Sequence, residues 1–270
     1  MNAITKITIR ASLLRLEQIA LLLLGLLLIL PFLVVYLSEN LSHQILDILT
    51  SMSADQQEVS REMLLAAMLM MSELFTTLVA LLLIPMLIYR DEQHRMLSFY
   101  LTRPLSRERY FLAKYLGGTL SLFVFFSVFA CFILAVSFVH SPNITGYLIQ
   151  AYFFALLKLA LLSALLIGLT TRFSIMFGSI AALLIYIAGH SNIQFLIWSI
   201  LNPGILSTFF KTGYYVLPDL LNVSSWSILS AVIEKKPIEI PYVYWIIKHL
   251  LIYIPLFLLI GTASFRKRQL

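Results

Sequence analysis

Residues 64–89 read LLAAMLMMSELFTTLVALLLIPMLIY, an apolar run that contains one charged side chain, Glu73. The run is longer than the roughly 20 residues that a helix needs to cross a bilayer. Hydrocarbon offers no water to satisfy backbone N–H and C=O groups, so a lipid-embedded segment of this length must be a helix. Residues 64–89 therefore predict a transmembrane helix.

Five further apolar runs of similar length occur along the chain, and composition agrees with this reading. Of the 270 residues, 60% are hydrophobic and 12% are charged, against about 25% charged in soluble domains. A soluble globular protein is excluded. We predict an all-α polytopic membrane protein with a single domain, residues 1–270. Its six predicted spans are residues 19–37, 64–89, 115–139, 147–169, 173–198 and 245–265.

The basic residues indicate which ends of the spans lie in the cytoplasm. Of nineteen Lys and Arg residues, thirteen flank the spans on the side that holds both termini, and four lie in the segments on the other side. Because Lys and Arg concentrate in cytoplasmic loops, both termini are predicted to be cytoplasmic. The basic residues form no single patch, which argues against nucleic-acid binding.

Two segments outside the spans have helical character. Residues 4–16 place apolar side chains on one stripe and basic ones elsewhere, which fits a helix lying on the inner membrane surface or a simple basic anchor. Residues 199–243 are apolar but interrupted by four prolines. Short interfacial or re-entrant helices capping the outer mouth of the bundle fit this segment, and a folded-over surface loop is the alternative.

The cytoplasmic loop 90–114 combines aromatic, apolar and charged residues. Met96, Phe99, Tyr100 and Arg103 recur at three- and four-residue spacing, beside Glu92 and Arg95. Pro104 then disfavours helix at Arg103 and can begin a new helix. Such a short helix could dock into a groove on a soluble partner, with apolar anchors and orienting charges. An ordinary charged loop at the lipid interface is equally compatible.

The same loop resembles a known family. Glu92, Leu97, the run Thr102 to Arg107 (TRPLSR), Lys114 and Gly117 are similar in order to the signature between spans two and three of ABC-2 type permeases. These are the membrane subunits of ABC (type V) exporters, and the nitrous oxide reductase maturation and gliding-motility permeases are the most similar kind. Many members have Gly-Thr where this chain has Arg95-Met96.

The resemblance implies a bacterial inner-membrane exporter subunit with partners. Residues 92–101 would be the coupling helix that receives movement of the ATPase, with Arg103, Pro104 and Arg107 following it. No Gly-x-x-x-x-Gly-Lys-Ser/Thr loop occurs in the sequence, so the chain itself has no ATP site and no cofactor. Two copies of a separate ATPase, carrying ATP and Mg²⁺, are expected. A second permease chain, identical or similar, would complete the path among membrane lipids.

Two ionisable residues lie deep inside predicted spans, where charges are costly and face the bundle interior. Counted from the outer ends at Leu64 and Tyr147, Glu73 and Lys158 lie about 14 and about 17 Å deep. Equal depth and opposite charge suggest a pair that fixes packing or lines the route. Alternatively, one is neutral and the other faces lipid or a partner.

The remaining polar residues show no catalytic or metal-binding spacing. Ala160, Ala164 and Gly168 repeat every four residues, a pattern that allows close helix approach. An intramembrane enzyme acting on a lipid or peptide through Glu73, Lys158 and His190 is the alternative function. It is disfavoured because the sequence predicts His190 near the outer end of its span. A membrane scaffold without transport activity is a third reading.

Overall fold

The computed structural model describes Gly25 and residues 54–93, 106–201, 204–218, 220 and 240–267. In these residues every regular element is a helix. The helices are α1 (Ala54–Gln93), α2 (Arg107–His140), α3 (Pro142–Arg172), α4 (Ile175–His190), α5 (Asn192–Leu201), α6 (Ile205–Val216) and α7 (Ile240–Lys267).

Three of these helices are long and apolar enough to cross a membrane, and a bent pair of helices would make a fourth. The three segments are Glu62–Leu87, Arg107–Val139 and Pro142–Arg172, which match the second, third and fourth predicted spans. The sixth predicted span lies within α7, whose apolar part Leu250–Arg266 is a shorter helix. An all-helical membrane protein is thereby confirmed, whereas the count of six spans stays a prediction.

The segments before α1 lie outside the described residues, apart from one glycine. Predicted span 19–37 contributes Gly25, which is helical and buried. A Cβ added to Gly25 would lie 2.5 Å from the Phe75 ring and 2.7 Å from the Phe129 ring. The surface helix predicted over residues 4–16 cannot be compared, because none of it is described.

The fifth predicted span is not one straight helix. The structure divides residues 173–198 into α4 and α5, which meet at Ser191 with a bend of 68°. Gly189, His190, Ser191 and Asn192 are poor helix-interior residues, and they fall at the bend. With 16 residues, α4 is about 24 Å long, less than a hydrocarbon core of about 30 Å. It therefore ends inside the bundle.

Helix α3 is the centre of the bundle, packed against α1, α2, α4 and α7. Hydroxyl pairs join it to α2 along its length. Thr119 Oγ1 and Ser163 Oγ lie 2.6 Å apart, and Ser127 Oγ lies 2.7 Å from the Tyr152 hydroxyl. These bonds satisfy polar groups in an apolar setting, so α2 and α3 form one hairpin unit.

Small residues allow α7 and α4 to approach α3 closely. A Cβ added to Gly168 would lie 2.6 Å from the Phe257 carbonyl oxygen of α7. Ala164 is fully buried, while Ala160 is half-buried and its carbonyl accepts a 3.3 Å hydrogen bond from the Tyr115 hydroxyl. Of the predicted packing stripe, Gly168 is thus the position where two backbones meet.

After the bend, α5 and α6 pack on each other as a short hairpin. The Phe210 ring lies 5.3 Å from the Trp198 ring and 6.0 Å from the Phe195 ring, between centroids. Gly204 begins the hairpin's second arm with φ of 106°, a value that favours glycine. A short helix predicted within 199–243 is therefore present as α6, while residues 221–239 lie outside the described part.

Candidate functional site

The two intramembrane charges predicted to pair are in contact. Lys158 Nζ on α3 lies 2.5 Å from Glu73 Oε1 on α1, and each side chain is 3% exposed. A buried charge of either sign is strongly disfavoured unless it has a partner. The pair therefore fixes α1 against α3 near the middle of both helices.

His190, the last residue of α4, joins the same cluster. Its Nε2 lies 2.9 Å from Lys158 Nζ, and its Nδ1 lies 2.9 Å from the Tyr186 carbonyl oxygen. An ammonium group only donates hydrogen bonds and a carbonyl only accepts them. Nε2 is therefore the accepting nitrogen, and Nδ1 carries the hydrogen that is donated to Tyr186.

The sequence analysis placed His190 near the outer end of a straight span, and the structure corrects this. The turn between α3 and α4 spans only Phe173 and Ser174. Lys158 precedes Arg172 by fourteen residues and His190 follows Ile175 by fifteen, so each lies about 21–23 Å from the turn. The signal was present in the sequence as equal distance from a tight turn.

Tyr186 and the end of α4 complete the surroundings of the ammonium group. Lys158 Nζ lies 5.3 Å from the centroid of the Tyr186 ring, within range of a cation–π contact. The Tyr186 and His190 rings lie 4.3 Å apart, between centroids. A helix carries partial negative charge at its C-terminus, and α4 ends at His190. One nitrogen thus meets a carboxylate, an imidazole lone pair, an aromatic face and a helix C-terminus.

The segment after α6 lies across the end of α4. Leu220 N donates a 3.2 Å hydrogen bond to the Gly189 carbonyl, and a Cβ added to Gly189 would lie 2.6 Å from the Pro218 carbonyl oxygen. Tyr253 of α7 donates a 2.8 Å hydrogen bond to the Val216 carbonyl. The chain therefore covers the residue next to His190.

A hydroxyl group one helical turn from Glu73 has no partner among the described residues. Thr77 is 3% exposed and its Oγ1 makes no hydrogen bond. The neighbouring hydroxyl of Thr76 donates to the Ser72 carbonyl at 2.7 Å. Buried polar groups are nearly always paired, so Thr77 is an exception on the face of α1 that carries Glu73.

The first turn of α2 is joined to the last turn of α7, and we call this contact the terminal clamp (Arg107, Glu108 and Arg266). Arg107 Nη1 donates a 3.0 Å hydrogen bond to the Arg266 carbonyl, and the Arg266 guanidinium forms an ion pair with Glu108. Beneath it, the Phe265 ring stacks on Tyr110 with centroids 5.7 Å apart. Ser106 caps α2 by accepting from Arg109 N. The two helix ends are therefore joined by a hydrogen bond, an ion pair and a ring stack.

The residues of the predicted coupling segment are only partly described. Glu92 lies in the last turn of α1, so the backbone at the start of the implied helix 92–101 continues α1. Arg107 lies in the terminal clamp. Six further predicted positions, Arg95, Met96, Phe99, Tyr100, Arg103 and Pro104, lie outside the described residues.

The described residues contain no group of three His, Cys, Asp or Glu side chains that could hold a metal ion. Glu73, Lys158, Tyr186 and His190 form what we call the central cluster. Its contacts are an ion pair, a hydrogen bond from the ammonium group to the imidazole, and a cation–π contact. Comparison of the sequence with protein-family models finds no match, and comparison with curated proteins finds none either.

Proposed function

We propose that this chain is the membrane-spanning permease subunit of an ATP-driven ABC exporter in a bacterial inner membrane. Both termini and the loop 94–105 would face the cytoplasm. The ATP and Mg²⁺ would be bound by two copies of a separate ATPase, and a second permease chain, identical or similar, would complete the translocation path.

The terminal clamp is the observation that carries this proposal. The TRPLSR run, residues 102–107, which resembles the permease signature, leads directly into α2 at Arg107. Arg107 and Glu108 both contact Arg266 at the end of α7. A push on the loop would therefore act on α2 and α7 together. This is the kind of link that a membrane subunit needs to pass movement of a soluble motor into its helices.

The central cluster offers contacts that can differ between two states of the bundle. Lys158 on α3 meets Glu73 on α1 and His190 on α4. Because Lys158 belongs to α3, movement of the α2–α3 hairpin would change its contacts with both Glu73 and His190. A ligand or motor can shift an equilibrium only through contacts that differ between its states.

Affinity purification tests the proposal. The tagged chain is extracted from its native membrane in mild detergent, and co-purifying ATPases are identified by mass spectrometry. Phe99→Ala with Tyr100→Ala is expected to abolish recovery of the ATPase, because aromatic anchors carry much of an interface's binding energy. Phe209→Ala with Tyr215→Ala is the matched control, since both side chains are 66% exposed and belong to α6, not to the loop 94–105. Absence of any ATPase, with and without crosslinking, would refute the exporter.

An intramembrane enzyme acting on a lipid or peptide is the second candidate, and one observation favours it. The contact between His190 and Lys158 removes the difference in depth that disfavoured this reading. Such an enzyme would act without an ATPase. Mass spectrometry of membrane lipids and peptides from cells that carry the wild-type chain or Lys158→Met, with the ATPase gene deleted, tests it. A product lost only in Lys158→Met would favour the enzyme.

A further inference from the structure

The described groups around Lys158 Nζ each interact favourably with a positive charge. Glu73 Oε1 lies 2.5 Å away, His190 Nε2 2.9 Å away, and the Tyr186 ring centroid 5.3 Å away. The C-terminal end of α4, with its partial negative charge, lies on the same side. Together these groups form a receptor for one cation, and we call Glu73, Tyr186 and His190 the acceptor nest.

The nest and its occupant belong to different helices. Glu73 comes from α1, and Tyr186 and His190 come from the last turn of α4. The ammonium group comes from α3, which is bonded along its length to α2. Withdrawal of α3 would therefore remove Lys158 and leave three acceptors facing each other.

We propose that the acceptor nest is a binding site for a primary ammonium group, which Lys158 fills in this state and which the amine of a transported ligand fills when α3 withdraws. The transport step rests on the proposed function, whereas the ammonium site itself does not. The ligand class is a primary amine, either free in water or carried by an ethanolamine headgroup of a lipid.

The geometry selects a primary ammonium over other cations. Contacts of 2.5 and 2.9 Å to an oxygen and a nitrogen require N–H donors. A quaternary ammonium has none and holds methyl groups where those contacts lie. Lys158 is 3% exposed, but His190 is half-buried and borders the bend at Ser191. His190 is therefore the edge of the nest from which a ligand would enter.

Chemical rescue tests the site without any ATPase. Lys158→Ala removes three methylene carbons and the nitrogen, and n-propylammonium has the same atoms. The melting temperature of purified Lys158→Ala is measured against n-propylammonium, with tetramethylammonium at equal concentration as the control for charge and ionic strength. We expect a rise that is logarithmic in concentration above the dissociation constant and reaches about 5 °C at a hundredfold excess, and no such rise with tetramethylammonium.

Further variants connect the rescue to the nest. Adding Glu73→Gln to Lys158→Ala should weaken the n-propylammonium effect at least tenfold in concentration, because the carboxylate is lost. Lys158→Ser, whose hydroxyl oxygen fills the Cγ position, replaces Lys158→Ala if the latter cannot be purified, with ethylammonium as its matched amine. Equal responses to both cations, or none to n-propylammonium, would overturn the proposal.

Two vesicle compositions distinguish the sources of the amine. Lys158→Ala is reconstituted in choline-headgroup lipid alone or mixed with ethanolamine-headgroup lipid. Stabilisation by the ethanolamine lipid, with little further effect of n-propylammonium, assigns the site to a lipid headgroup. Equal stabilisation by n-propylammonium in both vesicles assigns it to a free amine. Rescue by n-propylammonium in a chain that recovers no ATPase would support the ammonium site and reject the exporter. Recovery of an ATPase without rescue by n-propylammonium would reject the ammonium site alone.

Discussion

At the scale of single residues, the interior of this bundle depends on how Lys158 is neutralised. A carboxylate and an ammonium 2.5 Å apart compensate each other's loss of hydration, but a buried pair is rarely more stable than apolar side chains of similar volume. Removing one member is far more harmful than removing both, because the remaining charge stays buried.

The stability losses caused by replacing Glu73 and Lys158 should therefore not add: the double variant should be more stable than either single variant. We expect Lys158→Met or Glu73→Gln alone to reduce the free energy of unfolding by about 3–5 kcal/mol. The double variant should recover most of that loss. Denaturant titration of the purified chain in detergent, monitored by tryptophan fluorescence, gives the three values. A double variant whose loss equals the sum of the single losses would contradict a direct interaction.

Thr77 provides a contrasting prediction about a polar group. Its hydroxyl is buried and makes no hydrogen bond to the part of the chain that the structure describes, so Thr77→Val, which keeps the shape, should stabilise the chain by about 1 kcal/mol. Thr119→Val removes the 2.6 Å contact with Ser163 and should destabilise it by about 1 kcal/mol. The two variants are compared by thermal unfolding in the same detergent. Destabilisation by Thr77→Val would mean that its hydroxyl has a partner, such as a bound water or ligand.

The residues of the central cluster show what sequence alone could supply. Glu73 and Lys158 were found because a charge in an apolar run is rare and both lay at equal depth. The sequence also names His190 but predicts it near the outer end of its span, whereas its equal distance with Lys158 from the turn between α3 and α4 is the signal that the two can meet. Tyr186 carries no sequence signal that separates it from the other tyrosines of the chain.

At the scale of helices, the close crossing of α3 and α7 depends on the absence of a side chain at two facing positions. Gly168 and Gly261 face each other, and a Cβ added to Gly261 would lie 3.0 Å from Gly168 Cα. The four-residue spacing of small residues predicted a close approach on α3, but not which helix approaches. The helix that approaches α3 is determined by how the helices are arranged in the bundle.

A methyl group at Gly168 should separate the two helices. Gly168→Ala places Cβ against the Phe257 carbonyl oxygen, a backbone atom that cannot rotate away, so we expect a loss of about 1–3 kcal/mol in unfolding free energy. Gly146→Ala on the same helix has nothing within 4 Å and should be neutral or stabilising by up to about 1 kcal/mol. Thermal unfolding of both variants checks this. Equal stability of the two would contradict the crossing.

At the scale of the whole molecule, the terminal clamp should affect coupling more than stability. Arg266 and Glu108 have side chains 64% and 44% exposed, and exposed ion pairs contribute little to folding. We expect Arg266→Glu or Glu108→Arg alone to leave the melting temperature nearly unchanged but, under the proposed exporter function, to lower the chain's stimulation of its ATPase partner several-fold. The double charge swap should restore most of the stimulation. If ATPase stimulation is unchanged in all three variants, the terminal clamp does not transmit movement between the ATPase and the helices.

The positions of the helices along the sequence were more predictable than the way the helices pack against each other. Each of the long apolar runs 64–89, 115–139 and 147–169 lies within one helix, α1, α2 or α3, because hydrocarbon leaves the backbone no alternative to a helix. The bend at Ser191 and the convergence of three helices on Lys158 depend on contacts between segments distant in sequence. Sidedness is different again, because it follows from the distribution of Lys and Arg relative to the spans.

That distribution predicts which turns of the helices face the outside, and cysteine labelling can check it. Gly146, near the start of α3, is exposed with open space around it, and Ser174 is exposed in the turn after α3. In a Cys131→Ser background, a membrane-impermeant maleimide added to spheroplasts should label Gly146→Cys at once. It should label Ser174→Cys only after permeabilisation, because α3 crosses the bilayer between them. The reverse pattern would invert the thirteen-to-four assignment and place the TRPLSR run outside, where no cytoplasmic ATPase can reach it.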